Sequence, residues 1–145
     1  MLKKFTLLLV GIGMGFAQFT WAAGNPEKGK ALYAVCVACH GTDGAGNKAL
    51  NSPRIAGQEI WYLERQLKNF KTGVRGANSK DVYGMQMRPM AMTLPNDQAI
   101  ADVAAYVNGL KAKPPVAIIK GDTSAGKAAY MICQTCHGAK GEGKK

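Results

Sequence analysis

All four cysteines and both histidines of the chain stand in two pentapeptides, Cys36-Val37-Ala38-Cys39-His40 and Cys133-Gln134-Thr135-Cys136-His137. Two thiols three positions apart, followed at once by an imidazole, suit covalent attachment of a haem. Each thiol reaches one vinyl group on the same porphyrin edge and forms a thioether. The histidine then turns under the ring and ligates the iron from one side. On a helix, positions 36 and 40 share a face, so one short segment can hold both macrocycle and metal. Other uses of paired cysteines explain less. A zinc ribbon separates its C-x-x-C pairs by about 15–20 residues, whereas the second pair here begins 97 residues after the first. A thioredoxin-like redox site needs a βαβ setting, and no strand alternation is visible. Two structural disulfides would leave both histidines without a role. The pattern predicts haem thioethers at Cys36, Cys39, Cys133 and Cys136, with His40 and His137 as axial ligands.

A six-coordinate iron needs a second ligand, and no histidine remains. This excludes bis-histidine coordination within the chain and turns attention to methionine, whose pairing with histidine raises the potential of c-type haems. Met85, Met87, Met90 and Met92 crowd one stretch, read as a non-helical approach. Methionines also fill gaps around apolar cofactors, and spacing alone does not choose among the four.

The elements that position these residues read as helices. Asn25, Pro26 and Glu27 have the order of an N-cap, a first-turn proline and a first-turn acid. They open a helix expected to run to Cys39 and to end at Gly41. Gly29 and Tyr33 share a face suited to close crossing by another helix, with Tyr106 as the expected neighbour of Gly29. Residues 41–58 hold five glycines or prolines and read as an irregular loop over one haem edge. A second helix spans 59–72, with Ile60, Leu63, Leu67 and Phe70 as its apolar stripe, Glu64 and Lys68 as a favourable pair, and Gly73 as its stop. A third spans 96–110, capped by Asn96, with Ile100, Val103, Ala104, Val107 and Leu110 facing inward. The fold class is all-α.

Ahead of these lies a leader. Lys3 and Lys4 precede an uncharged apolar run of 15 residues, Phe5 to Phe19, and Thr20 and Ala22 supply small residues for cleavage. Residues 1–22 are therefore expected to be a signal peptide, with an uncleaved membrane anchor as the alternative, and the protein is expected in the periplasm. Export suits thioether attachment, which bacteria complete outside the cytoplasm.

Three stretches carry a family resemblance: Cys36–Gly41, then Pro53–Gln58 with Trp61–Phe70, and Met87–Leu94 followed by Asp102–Tyr106. In these the chain resembles the class I c-type cytochromes, most closely their two-haem cytochrome c4-type branch. The resemblance covers nearly all of residues 24–110 and implies a small, helical, cytochrome c-like haem domain. It points to Met87 as the iron-binding methionine, seven residues before Leu94, and places Arg54 near the haem propionates. It also implies electron transfer from a quinol-oxidising or dehydrogenase complex to a terminal oxidase or reductase, without catalysis or a small-molecule substrate. A cytochrome subunit docked on a dehydrogenase or oxidase is the first alternative. A haem peroxidase or gas sensor is the second, and needs an open iron position.

Residues 24–48 recur at 121–145, with matches at Gly29/Gly126, Lys30/Lys127, Ala31/Ala128, Tyr33/Tyr130, both cysteines, the histidine and three following glycines. This reads as a duplicated domain. Residues 23–112 form haem domain 1, 113–120 a linker stiffened by Pro114-Pro115, and 121–145 the opening of haem domain 2. The second copy is expected to be incomplete and poorly packed, since an isolated helix of this length is marginal. Net charge is +10, or +8 without Lys3 and Lys4. Arg65, Lys68, Lys71, Arg75, Lys80 and Arg88 are either a surface that steers acidic redox partners or a solvated helix face. Nucleic acid is not an expected partner for an exported haem protein.

Overall fold

The computed structural model describes residues 23–114 and 119–143. The expected signal peptide, residues 115–118 of the expected linker, and Lys145 lie outside the described residues. The chain divides into two compact units between Ala112 and Lys113. Among the described residues there are six α-helices and no strand, only an isolated antiparallel bridge between Asn47 and Ser52.

In the first unit, α1 (Pro26–Leu32) begins where the Asn25 side chain accepts the Glu27 and Lys28 N–H groups. The expected single helix to Cys39 is in fact two. A 3₁₀ turn, Tyr33–Val35, separates α1 from α2 (Val37–His40), the tighter winding common in short connectors. Cys36 and His40 still lie one α-turn apart, with the His40 N–H donating to the Cys36 carbonyl at 2.9 Å.

α3 (Ile60–Thr72) ends at Gly73 in the left-handed conformation, and α5 (Asp97–Gly109) starts with the Asn96 side chain accepting the Ala99 N–H. α5 is the centre of the unit. Its Ile100, Val103, Ala104 and Val107 follow helical spacing and cluster with Tyr33, Leu63 and Leu94 in the core. α1 crosses α5 so closely that a Cβ on Gly29 would fall on the Asp102 carbonyl, with the Tyr106 Cβ beside it at 2.9 Å. Asp102 ties the crossing: its buried carboxylate accepts the Asn25 N–H at 2.7 Å and the Gln98 amide at 2.9 Å.

The methionine-rich stretch departs from expectation. It is a helix, α4 (Val82–Met92), capped by Asp81, with Pro89 inside it. Methionine, glutamine, arginine and alanine are all good helix formers. Pro89 removes one hydrogen bond, to the carbonyl one turn earlier, and the helix ends three residues later.

The second unit contains α6 (Thr123–His137), capped by Asp122. None of its residues is buried.

Candidate haem-binding site

α2 ends on His40, and Gly41 at φ 79° breaks the helix behind it. The Tyr33 hydroxyl donates to the Gly41 carbonyl at 2.8 Å, and the Gly46 N–H donates to the His40 carbonyl at 2.9 Å. The segment is thus fixed from both sides. His40 is 6% exposed, and its Nδ1 lies 2.9 Å from the Pro53 carbonyl. A carbonyl only accepts, so Nδ1 carries the proton and Nε2 keeps its lone pair, the arrangement by which proteins prepare an imidazole for a metal.

Cys36 is half-buried and Cys39 exposed. Burial, and then the neighbouring Cys39, pushes the Cys36 thiol up to about 11. A thiol this reluctant to ionise is a poor redox nucleophile, which argues against a thioredoxin-like role. Burial, followed by Cys36, Tyr106 and Asp43, likewise raises Tyr33 to about 12.

These side chains face a cavity of about 530 Å³, within the roughly 300–1,000 Å³ typical of cofactor sites. Leu50, Pro53 and Ile55 of the 41–58 loop line it, as do Leu63, Leu67 and Phe70 of α3 and Val103, Ala104 and Val107 of α5. α4 contributes Met87 and Met90, three residues apart on one helical face. Met85 and Met92 line a different concavity with Arg88 and Pro89. The helix therefore separates the four methionines into two pairs.

Arg54 is half-buried, with Nε 3.5 Å from the Ala56 carbonyl, and is not among the residues lining the cavity. The sequence did not single out Gln66 and Asp81, and marked Arg75 only as part of a basic surface, yet all three line the cavity. Gln66 lies at helical spacing from Tyr62 and Phe70 and could have been read from the α3 wheel. Arg75 and Asp81 come from the turn after Gly73, which has no periodicity to expose them. Arg75 stacks on the Phe70 ring at 4.3 Å and donates to the Gln66 amide oxygen at 2.6 Å.

Other members of the basic stretch also have intramolecular contacts. Lys68 pairs with Asp97 at 3.1 Å, Lys71 donates to the Leu94 carbonyl, and Arg65 lies 4.9 Å over the Trp61 ring.

The second motif repeats the local frame of the first. The Tyr130 hydroxyl donates to the Gly138 carbonyl at 2.7 Å, and the Gly143 N–H to the His137 carbonyl at 2.8 Å. Gly138 has φ 80° and ψ 164°, against 79° and 163° at Gly41. Cys133, Cys136 and His137 are exposed.

The first site fits a covalently held haem: two thiols, an imidazole with its tautomer set, and an apolar cavity that Met87 and Met90 also line. The family model for cytochrome c matches residues 26–111. Cytochrome c4 of Azotobacter vinelandii is 36% identical over 148 residues, covering 95% of this chain and 68% of that protein. The thiosulfate dehydrogenase electron acceptor of Stutzerimonas stutzeri is 31% identical over 136 residues, 86% of this chain and 57% of that one. The crystal structure of reduced cytochrome c4 from Pseudomonas stutzeri superposes with a TM-score of 0.61 at 33% identity, over 84% of this chain and 68% of that one. With the family model running from the first residue of α1 to just beyond the end of α5, the chain belongs to the cytochrome c family and is an electron-transfer protein with covalently bound haem c.

Proposed function

We propose that the chain is an exported electron carrier whose first haem is held by Cys36, Cys39 and His40 and closed by Met87. The observation that carries this reading is that His40, with its proton held on Nδ1, and Met87 line one apolar cavity. Bound haem supplies a one-electron Fe(III)/Fe(II) couple. The protein's part is to keep two axial ligands in place and water away, so that little moves on electron transfer. A second haem would be carried by Cys133, Cys136 and His137, whose local frame matches the first.

Electrons would pass from a quinol-oxidising or dehydrogenase complex to a terminal oxidase or reductase, in the periplasm. No helix among the described residues is long and apolar enough to cross a membrane. Similarity to a protein named as a thiosulfate dehydrogenase electron acceptor supports a second reading, in which the chain works as the cytochrome partner of a dehydrogenase. The haem chemistry is the same in both.

Met87→Ala tests the axial assignment. The ferric protein should lose the weak far-red sulfur-to-iron band, and the ferrous protein should bind one more carbon monoxide per chain than the parent. An unchanged band moves the ligand to Met90, which shares the cavity. Ready carbon monoxide binding by the parent at its first haem would favour a peroxidase or gas sensor instead.

A further inference from the structure

We infer that Asp81 is a positioning residue, whose carboxylate clasps α4 to the turn after α3 and thereby fixes Met87 in the haem cavity. The inference rests on the reading of Met87 as iron ligand.

One carboxylate oxygen, Oδ1, accepts the Gly84 N–H at 3.0 Å, which is ordinary capping of a helix start. The other, Oδ2, accepts the Gly76 N–H at 2.9 Å, which no capping rule requires. A single charged group therefore bonds two backbone segments, and bonds to a charged acceptor are the stronger kind. The three residues interlock. A Cβ on Gly76 would fall on the Gly84 carbonyl, and a Cβ on Gly84 would fall on the Asp81 carboxylate. The turn that Asp81 grips is itself fastened to α3 by Arg75 through Phe70 and Gln66.

Asp81, Gly84 and Met87 succeed one another at three-residue spacing, and all three line the haem cavity. Gly84, one of the two groups the clasp holds, thus stands about one turn ahead of the methionine. Ligand geometry tolerates only about 0.5 Å of drift, and a helix held by its cap alone could pivot about its first turn. With both oxygens engaged, α4 is fixed in rotation as well as in length.

The haem-loaded full chain with Asp81→Asn separates the two bonds. The amide keeps an oxygen to cap Gly84 and turns an N–H₂ toward the Gly76 N–H. The ferric far-red band should weaken or vanish, and the ferrous first haem should bind carbon monoxide about tenfold more tightly, the factor expected for losing one bond to a charged acceptor. Asp81→Ser, which also keeps a capping oxygen without the second arm, should behave alike and serves if the asparagine variant does not accumulate. Asn96→Ala removes an ordinary cap, from α5, and should lower thermal stability while leaving the band intact. A parental band in both Asp81 variants overturns the clasp. A parental band in Met87→Ala overturns the ligand reading and the clasp with it, so the two failures are told apart.

Discussion

At the residue scale, the most consequential hydrogen bonds in the first unit are those that settle where a proton or a charge resides. The Pro53 carbonyl decides the tautomer of His40 and leaves its Nε2 lone pair available to a metal, as the proposed ligand role requires. Asp102 shows the same economy. The Asn25 N–H, then Gln98, and Lys28 after the opposing effect of burial, hold its carboxyl below the ordinary range. Its folded value is therefore lower than its unfolded one, near 3.9. Asp102 adds stability above about pH 4, and that contribution is lost as pH falls through the folded value. Asp102→Asn should lower stability in urea at neutral pH and bring the variant and parent curves together in acid. Parallel curves at all pH values would show that the Asp102 charge contributes nothing.

At the element scale, α5 is the spine and α1 is laid directly against it. Gly29 is the point of closest approach, backed by Asp102 and Tyr106. A methyl group there would meet the Asp102 carbonyl and the Tyr106 Cβ, neither of which is the free end of a flexible side chain. Gly29→Ala should cost about 3 kcal/mol or more, the upper range for overpacking, as read by thermal or denaturant unfolding of the haem-loaded protein. An alanine variant of parental stability would mean the crossing relaxes freely.

The same elements show what a sequence can disclose. Asn25, Asn96, Gly41 and Gly73 have local roles written into their types, and the caps and stops fall where those residues stand. The stripe of α5 was legible because burial repeats with the helix period. α4 was not, since Gly84 and Pro89 dilute its helical signal and its start depends on Asp81 reaching back to Gly76. Lys68 pairs with Asp97, a partner 29 positions away that only tertiary packing could supply and that no helical spacing announces. Among the methionines, helical phase does what spacing on an assumed irregular segment could not: it separates Met87 and Met90 from Met85 and Met92.

At the scale of the whole molecule, cavity size decides how far the polypeptide can fold by itself. The cavity of about 530 Å³ is walled by Leu63 and Phe70 of α3 and by Val103, Ala104 and Val107 of α5, all of them core residues, so these side chains face a space that offers them no atoms to pack against. Haem is then as much core as cofactor. The double variant Cys36→Ser/Cys39→Ser, which lacks both proposed attachment thiols of the first site, should lose its near-ultraviolet circular dichroism at room temperature while keeping part of its helical signal. A sharp, parental melting transition would contradict this.

The twin frames around Gly41 and Gly138 bear on timing. Each is closed by bonds spanning no more than eight residues, from the tyrosine to the glycine carbonyl and from the glycine N–H back to the histidine. Nothing distant has to arrive first. A segment of this kind can take its shape early, while the helices that will enclose the cavity are still unmade. Haem attachment at such a motif would then meet a short, ready-formed handle. Assembly can proceed in the order in which the chain emerges: handle, then haem, then the walls around it.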